Sequence, residues 1–126
     1  MLENKNYELW QGDCLELMKT IPDKSIDMIL CDLPYGTTWN RWDKIIPMED
    51  LWDAYKRVIT DVGVIVLFGT QPFTSLLVCS NLEMFKYNLI WKKENATNFA
   101  NANCQPLRIT EDIVVFQKVE YLRLVN

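Results

Sequence analysis

Apolar side chains along the chain follow two alternating spacings. Residues 62–68 form an almost unbroken run of apolar, mostly β-branched side chains, typical of a strand covered on both faces in a parallel sheet. Residues 25–31 form a second apolar run of strand length, which ends in a turn sequence. Between and around these runs, residues 13–21, 47–59 and 70–77 carry apolar side chains at helical spacing.

Further segments complete the predicted order of elements. Residues 6–11 and 113–116 favour strands, and residues 85–91 alternate apolar and polar side chains. The asparagine-rich residues 94–105 favour a loop. The order β-α-β-α-β-α-β-β indicates a single α/β domain with a doubly wound sheet and right-handed crossovers. In such sheets ligands bind at the carboxyl ends of strands, where residues 32–35 lie.

Composition narrows the class of protein. The chain has 126 residues, of which 49% are hydrophobic and 24% are charged, as in globular domains. No apolar run approaches the ~20 residues of a membrane span. The first ten residues are charged and lack a signal-peptide core, which predicts a cytoplasmic protein without a membrane partner.

Absent residue types exclude several chemistries. The sequence has no histidine, so it offers no imidazole base and no histidine ligand for a metal ion. Its 4 glycines do not match the motif of a phosphate-binding loop. The 4 cysteines are widely spaced, which predicts free thiols that serve as small buried hydrophobic side chains, and no metal site. The net charge of −4 disfavours strong binding to nucleic acid by this chain alone.

The sequence D-L-P-Y-G follows the strand at residues 25–31 and carries the candidate chemistry. Asp32 offers a carboxylate, and Leu33 precedes a proline, so its backbone is extended and its carbonyl can point outward beside Asp32. These two acceptors match the two N–H donors of an amine on a ring, and Tyr35 offers a flat face for stacking. Enzymes that modify a base hold it in such a pocket. The alternative is a plain turn in which Tyr35 only packs.

The chain resembles the amino-terminal half of phage- and prophage-type adenine-specific DNA methyltransferases, the group with the D-P-P-Y signature. The resemblance covers roughly residues 5–118, and its segments occur in the same order: GDCLE, SIDMILCDLPYGTT, LWDAYKRVI, GVIVLFGTQPFTSLL, FKYNLIWKK and QPLRITEDIVVF. It implies an incomplete, Rossmann-like methyltransferase sheet and a partial catalytic domain spanning residues 1–126. The implied reaction transfers a methyl group from S-adenosylmethionine to N6 of a flipped adenine in double-stranded DNA.

The resemblance implies roles for the loop residues. Asp32 and the Leu33 carbonyl would accept the amino hydrogens, Pro34 would fix the turn, and Tyr35 would stack on the base. Candidate contacts to S-adenosylmethionine are Asp13, Cys31, Asp32 and Thr70. Candidate contacts to DNA are Tyr35, Gly36, Trp39, Lys92 and Asn95.

Structural roles compete with some of these assignments. Asp13 is also a good N-cap, with Glu16 placed three residues later as in a capping box. Thr70 is also a candidate helix cap with Pro72 at the first helical position. The asparagines around Asn95 are also typical of a solvated loop.

Two departures from the family pattern have consequences. Leu33 stands where the signature has proline, so φ is not locked and some pre-organisation of the turn is lost. The family's glycine-rich cofactor loop, recognition region and central cofactor strand have no counterpart in these 126 residues. An apolar edge is therefore expected on the strand at residues 26–31, which predicts a homo-oligomer or a complementing chain.

Two other functions remain open from the sequence. The chain could be a catalytically silent remnant or split-enzyme subunit that acts as an assembly partner. It could also be an N-methyltransferase for a protein glutamine or an RNA base, since similar loops serve those substrates.

Overall fold

A computed structural model describes residues 2–3, 6–36, 44–97, 106 and 108–119. Within these residues, six strands, which form two sheets, and three helices follow one another. Their bounds are β1 Leu2–Glu3, β2 Glu8–Leu9, α1 Cys14–Met18, β3 Ile26–Cys31, α2 Met48–Val58, β4 Ile59–Gly69, α3 Phe73–Ser80, β5 Phe85–Thr97 and β6 Arg108–Gln117.

The main sheet has the strand order β3-β4-β6-β5. β3 pairs with β4 in parallel, and Cys31 lies opposite Leu67. β6 pairs antiparallel with β4 and with β5. Within the described residues, β3 is therefore an edge strand, as the sequence predicts for residues 26–31. The predicted α/β class is confirmed.

Helices α2 and α3 pack on one face of this sheet. α2 buries Leu51, Trp52, Tyr55 and Val58, which repeat at helical spacing. The Trp52 ring meets the β6 side chain Phe116 edge to face, with 4.7 Å between ring centroids. Burial of each such side chain contributes about 1.5–3 kcal/mol, so this layer anchors the sheet.

The opposite face of the sheet is largely uncovered in the part of the chain that the structure describes. Along one row across the strands, Leu30 is 62% exposed and Tyr87 is 52% exposed. Val66 and Val115 lie between them in the same row. Apolar side chains thus meet solvent at both edges of this face.

Several predicted boundaries were wrong. The strand expected at residues 6–11 is the short β2, which pairs with β1 in a separate two-stranded sheet. Residues 94–97, which were expected in a loop, belong to β5, because this strand continues to Thr97 opposite Arg108. Long-range pairing with β6 overrides the local preference of asparagine for turns. The remaining asparagines of this stretch, at 98, 101 and 103, lie outside the described residues.

The helix caps agree with the sequence at one helix and differ at another. The Asp13 carboxylate accepts from the backbone N–H groups of Leu15 and Glu16 and caps α1 as predicted. The Glu16 carboxylate pairs with Lys19. The expected cap of α3 at Thr70 is wrong: Pro72 is the N-cap, and the Gln71 side chain accepts from the Ser75 N–H.

The described cysteines are free thiols, as expected. Cys14 and Cys79 are exposed, so the expectation that they fill the core was wrong. Cys31 is half buried and packs against the core. Cys104 lies outside the described residues. None of the described helices is long and apolar enough to cross a membrane.

Burial raises the pKa of Tyr55, and the neighbouring Cys31 side chain adds to this effect. The neutral phenol therefore contributes stability that is complete below the ordinary tyrosine pKa of about 10 and is lost as the pH rises above it. We expect Tyr55→Phe to lose less unfolding free energy than the unsubstituted chain between about pH 8 and about pH 11. Urea unfolding at both pH values measures this. Tyr87→Phe, at a half-exposed position, serves as the control. Equal losses in the two variants would contradict the assignment.

Candidate functional site

The turn that follows β3 holds the candidate catalytic residues. Because β3 and β4 are parallel, this turn lies at the sheet edge where the carboxyl ends of both strands meet. Asp32 is exposed there. The Tyr35 hydroxyl donates a hydrogen bond of 2.8 Å to Asp32 Oδ1. The structure therefore brings the two predicted side chains into direct contact.

Leu33 is fixed by burial. Its side chain is 5% exposed and belongs to the hydrophobic core. Packing thus anchors the leucine side chain at the position where the signature has proline, and the loss of pre-organisation expected from this exchange stays a prediction. Gly36 closes the turn with φ +72°, and a Cβ there would lie 2.9 Å from Ile45 Cγ1. A side chain at this position would be strained by the positive φ and crowded by Ile45.

Tyr35 has a partner on one ring face. The Phe73 ring at the start of α3 stacks against it, with 5.0 Å between centroids and 28° between planes. Burial raises the pKa of Tyr35, and the hydrogen bond to Asp32 and the nearby charges of Asp32, Glu111 and Asp112 add to this effect. The phenol therefore stays protonated and remains a donor to Asp32. The predicted stacking of a base on Tyr35 is restricted to the ring face opposite Phe73.

A cavity of about 430 Å³ lies beside the turn. Its walls include Asp13 from the start of α1, Pro34 from the turn, and Lys44 and Ile46 from the segment before α2. The structure thus gathers the predicted cofactor residue Asp13 and the predicted loop residue Pro34 around one space. Its volume falls within the range of about 300–1,000 Å³ that is usual for small-molecule sites.

The other predicted cofactor residues have different surroundings. Cys31 packs against the core beside Tyr55, and burial raises the pKa of its thiol. Thr70 follows β4, and its carbonyl oxygen accepts from the Thr74 N–H at the start of α3. Both residues flank the candidate turn, and their roles toward a cofactor stay predictions.

The predicted DNA contacts are not all gathered at the turn. Gly36 is part of it, whereas Lys92 and Asn95 lie on β5. β5 is three strands away from β3, which is about 14 Å at the usual strand spacing. Trp39 lies outside the described residues.

Sequence reasoning assigned no role at the site to Thr74 or Asp112, and it placed Phe73 only among the rim residues 70–73 that could shape the pocket. Phe73 supports Tyr35, and the buried Thr74 hydroxyl donates to Asp112 Oδ2 at 2.8 Å. One signal was available: Asp112 is an acidic residue directly before the apolar run of residues 113–116, and a charged group that is drawn into a buried strand usually has a partner.

Two curated relatives of the chain are Type II methyltransferases, and no family model matches the chain. The chain is 28% identical over 141 residues to the Type II methyltransferase M2.MboI of Moraxella bovis. This alignment covers 92% of this chain and 51% of that protein. It is also 28% identical over 124 residues to the Type II methyltransferase M.HinfI of Haemophilus influenzae. This second alignment covers 75% of this chain and 34% of that protein.

Solved structures share the fold. The structure of an M1.HpyAVI-SAM complex superposes with a TM-score of 0.64 at 19% identity, over 88% of this chain and 56% of that chain. The cytosine-N4-specific PvuII DNA methyltransferase gives a TM-score of 0.63 at 14% identity, over 86% and 48% of the two chains. The chain therefore has the Rossmann-like α/β fold of these methyltransferases and is similar in sequence to Type II methyltransferases, of which it spans about half or less.

Proposed function

We propose that this chain is the catalytic-loop half of an S-adenosylmethionine-dependent DNA methyltransferase that acts on N6 of a flipped adenine. One observation carries the proposal: Asp32, which follows the parallel strand β3, is held by the hydroxyl of a tyrosine that is itself stacked on Phe73. The similarity to Type II methyltransferases supports it.

The turn offers the acceptors that an exocyclic amine needs. A carboxylate has about four lone-pair sites, so Asp32 can accept from Tyr35 and from a substrate N–H together. The Leu33 carbonyl is the second acceptor. Holding both N–H groups draws the nitrogen lone pair out of conjugation with the ring and aims it for attack. Asp32 also offsets the positive charge that develops on the nitrogen.

The cavity beside Pro34 suits a nucleoside-like cofactor. Its walls combine apolar surfaces of Leu15, Ile46 and Pro47 with the carboxylate of Asp13 and the ammonium group of Lys44. Apolar walls can hold a flat purine, and a carboxylate can accept from a ribose hydroxyl. S-adenosylmethionine supplies an activated methyl group on a sulfonium centre. The protein's own contribution is to place the amine beside that methyl group.

We further propose that a second copy of the chain covers the β3 edge. Met28 and Leu30 on this strand are 55% and 62% exposed. Exposed apolar edge strands pair readily with other strands. Two β3 edges related by a two-fold axis would pair antiparallel and satisfy the backbone groups of both copies.

The first test substitutes Asp32. We expect Asp32→Ala to lower methyl transfer to DNA by about 100-fold or more, because it removes the acceptor for the amine and the charge that stabilises the transition state. Incorporation of tritium from labelled S-adenosylmethionine measures the rate, and analysis of the digested DNA locates the label on adenine N6. Asp27→Ala, at an exposed carboxylate on the same strand, serves as the control. No incorporation by the unsubstituted chain, or full activity of Asp32→Ala, would contradict the proposal.

The second test separates the two roles of Tyr35. We expect Tyr35→Phe to keep most of the rate, because the ring still stacks between Phe73 and the base, and Tyr35→Ala to lose about tenfold or more. Both variants are compared in the same methyl-transfer assay. Equal rates for Tyr35→Ala and the unsubstituted chain would show that the ring is no stacking platform.

The third test concerns assembly. Light scattering of the purified chain should give twice the 14.9 kDa chain mass, and Leu30→Lys should give the monomer, because a lysine on an edge strand opposes pairing with a second strand. Leu82→Lys is the matched control, since Leu82 is equally exposed but lies in the turn after α3. A monodisperse monomer of the unsubstituted chain would overturn this part of the proposal. A mixed complex with a different polypeptide would point to a complementing chain.

A further inference from the structure

Asp112 lies where three elements meet near the candidate turn. On β6 it pairs with Gly69 at the end of β4 and with Ile90 on β5. Its Oδ2 accepts from the Thr74 hydroxyl at 2.8 Å, and its Oδ1 accepts from Asn88 Nδ2 at 3.2 Å. Each carboxylate oxygen thus ties β6 to a different neighbour, α3 on one side and β5 on the other.

The contact between Asp112 and Thr74 depends on glycine at position 69, which has no side chain. A Cβ at Gly69 would lie 2.7 Å from Thr74 Oγ1 and 3.5 Å from Thr74 Cβ. Glycine at this position lets the first turn of α3 approach the sheet. Thr74 is 5% exposed, so water cannot readily reach its hydroxyl. Without Asp112 this buried donor would lose its acceptor and find no water in its place.

Thr74 directly follows the residue that supports Tyr35. Phe73 is 2% exposed and stacks on the Tyr35 ring, whose hydroxyl bonds to Asp32. The position of the Phe73 ring is set by the start of α3. The Asp112–Thr74 hydrogen bond fixes that start against the sheet.

The charges around Tyr35 have different partners. Asp32 accepts from Tyr35 itself, and Glu111 forms an ion pair with Lys93. The contacts of Asp112 described above are with the neutral groups of Thr74 and Asn88. Both charges raise the pKa of the Tyr35 phenol, after the larger effects of burial and of Asp32.

We propose that Asp112, acting through the Thr74 hydroxyl, is a positioning residue that holds the Phe73 ring beneath Tyr35. The inference deepens the proposed function and rests on it in one respect, namely that Tyr35 is the platform for the base. Asp112 touches neither the base nor the cofactor in this role.

The variants remove the tether in two independent ways. Thr74→Val keeps the shape of the side chain and removes the hydroxyl, and Asp112→Ala removes the acceptor. Asp112→Asn is the conservative variant, because an amide can accept from Asn88 and donate to the Thr74 hydroxyl. Thr60→Val is the matched control: the Thr60 hydroxyl on β4 is buried and has no hydrogen-bond partner among the described residues.

Two measurements on the full chain report the arrangement without requiring activity. Nuclear Overhauser effects between the Tyr35 and Phe73 rings report the stacking, and absorbance at alkaline pH, assigned by comparison with Tyr35→Phe, reports ionisation of Tyr35. We expect Thr74→Val and Asp112→Ala to weaken the ring contacts. Asp112→Asn should keep them and let Tyr35 ionise at a lower pH, because the charge is gone. Thr60→Val should change neither reading.

The methyl-transfer assay adds the functional reading. Thr74→Val and Asp112→Ala should lower kcat/KM for DNA about three- to tenfold, the size expected for one aromatic contact, and leave the KM for S-adenosylmethionine unchanged. Unchanged ring contacts in a folded Thr74→Val variant would overturn the inference. If Asp112→Ala does not fold, the result for Thr74→Val alone decides whether the inference holds. Weakened ring contacts in a chain without methyl transfer would keep the inference and reject the proposed function.

Discussion

Pairing of β4 with β3 on one side and β6 on the other is the constraint on which the rest of the structure depends. It places the ends of two parallel strands at one edge, so the Asp32 turn and the start of α3 become neighbours although they are far apart in sequence. It also presents Ile65, Leu67, Val114 and Phe116 on one face, where α2 and α3 bury them. The site is therefore a consequence of strand order, and its precision comes from the helix layer that holds this order in place.

Much of this arrangement is readable from the sequence, because strong local patterns agree with the final fold. The apolar run that ends at Cys31 favours a strand, and the spacing of Leu51, Trp52 and Tyr55 favours a helix. In both segments the local preference agrees with the element in the structure. The sequence D-L-P-Y-G likewise indicated that Asp32 and Tyr35 share one turn, whereas the hydrogen bond between them is seen only in the structure. Asp13 was a cap both by residue type and in the structure.

What the sequence could not provide are contacts between distant segments. The approach of Thr74 to Asp112 joins two elements 38 positions apart and depends on the absence of a side chain at Gly69. The length of β5 is set by its pairing with β6 and is invisible in a stretch rich in asparagine. At the start of α3, the Gln71 side chain accepts from the Ser75 N–H. The usual capping preferences favour threonine over glutamine and therefore pointed to Thr70. Leu33 shows the same limit, since only the structure reveals that its side chain packs in the core at a position where the signature has proline.

The stacked pair of Tyr35 and Phe73 gives the site a sidedness. Two rings in contact leave one face of the Tyr35 ring open, the face away from α3. A purine has two inequivalent faces once it is joined to its sugar, and a platform that is open on one side can tell them apart. In the proposed reaction, Phe73 would therefore set which face of the base meets Tyr35, and with it the direction from which the nucleotide enters the pocket.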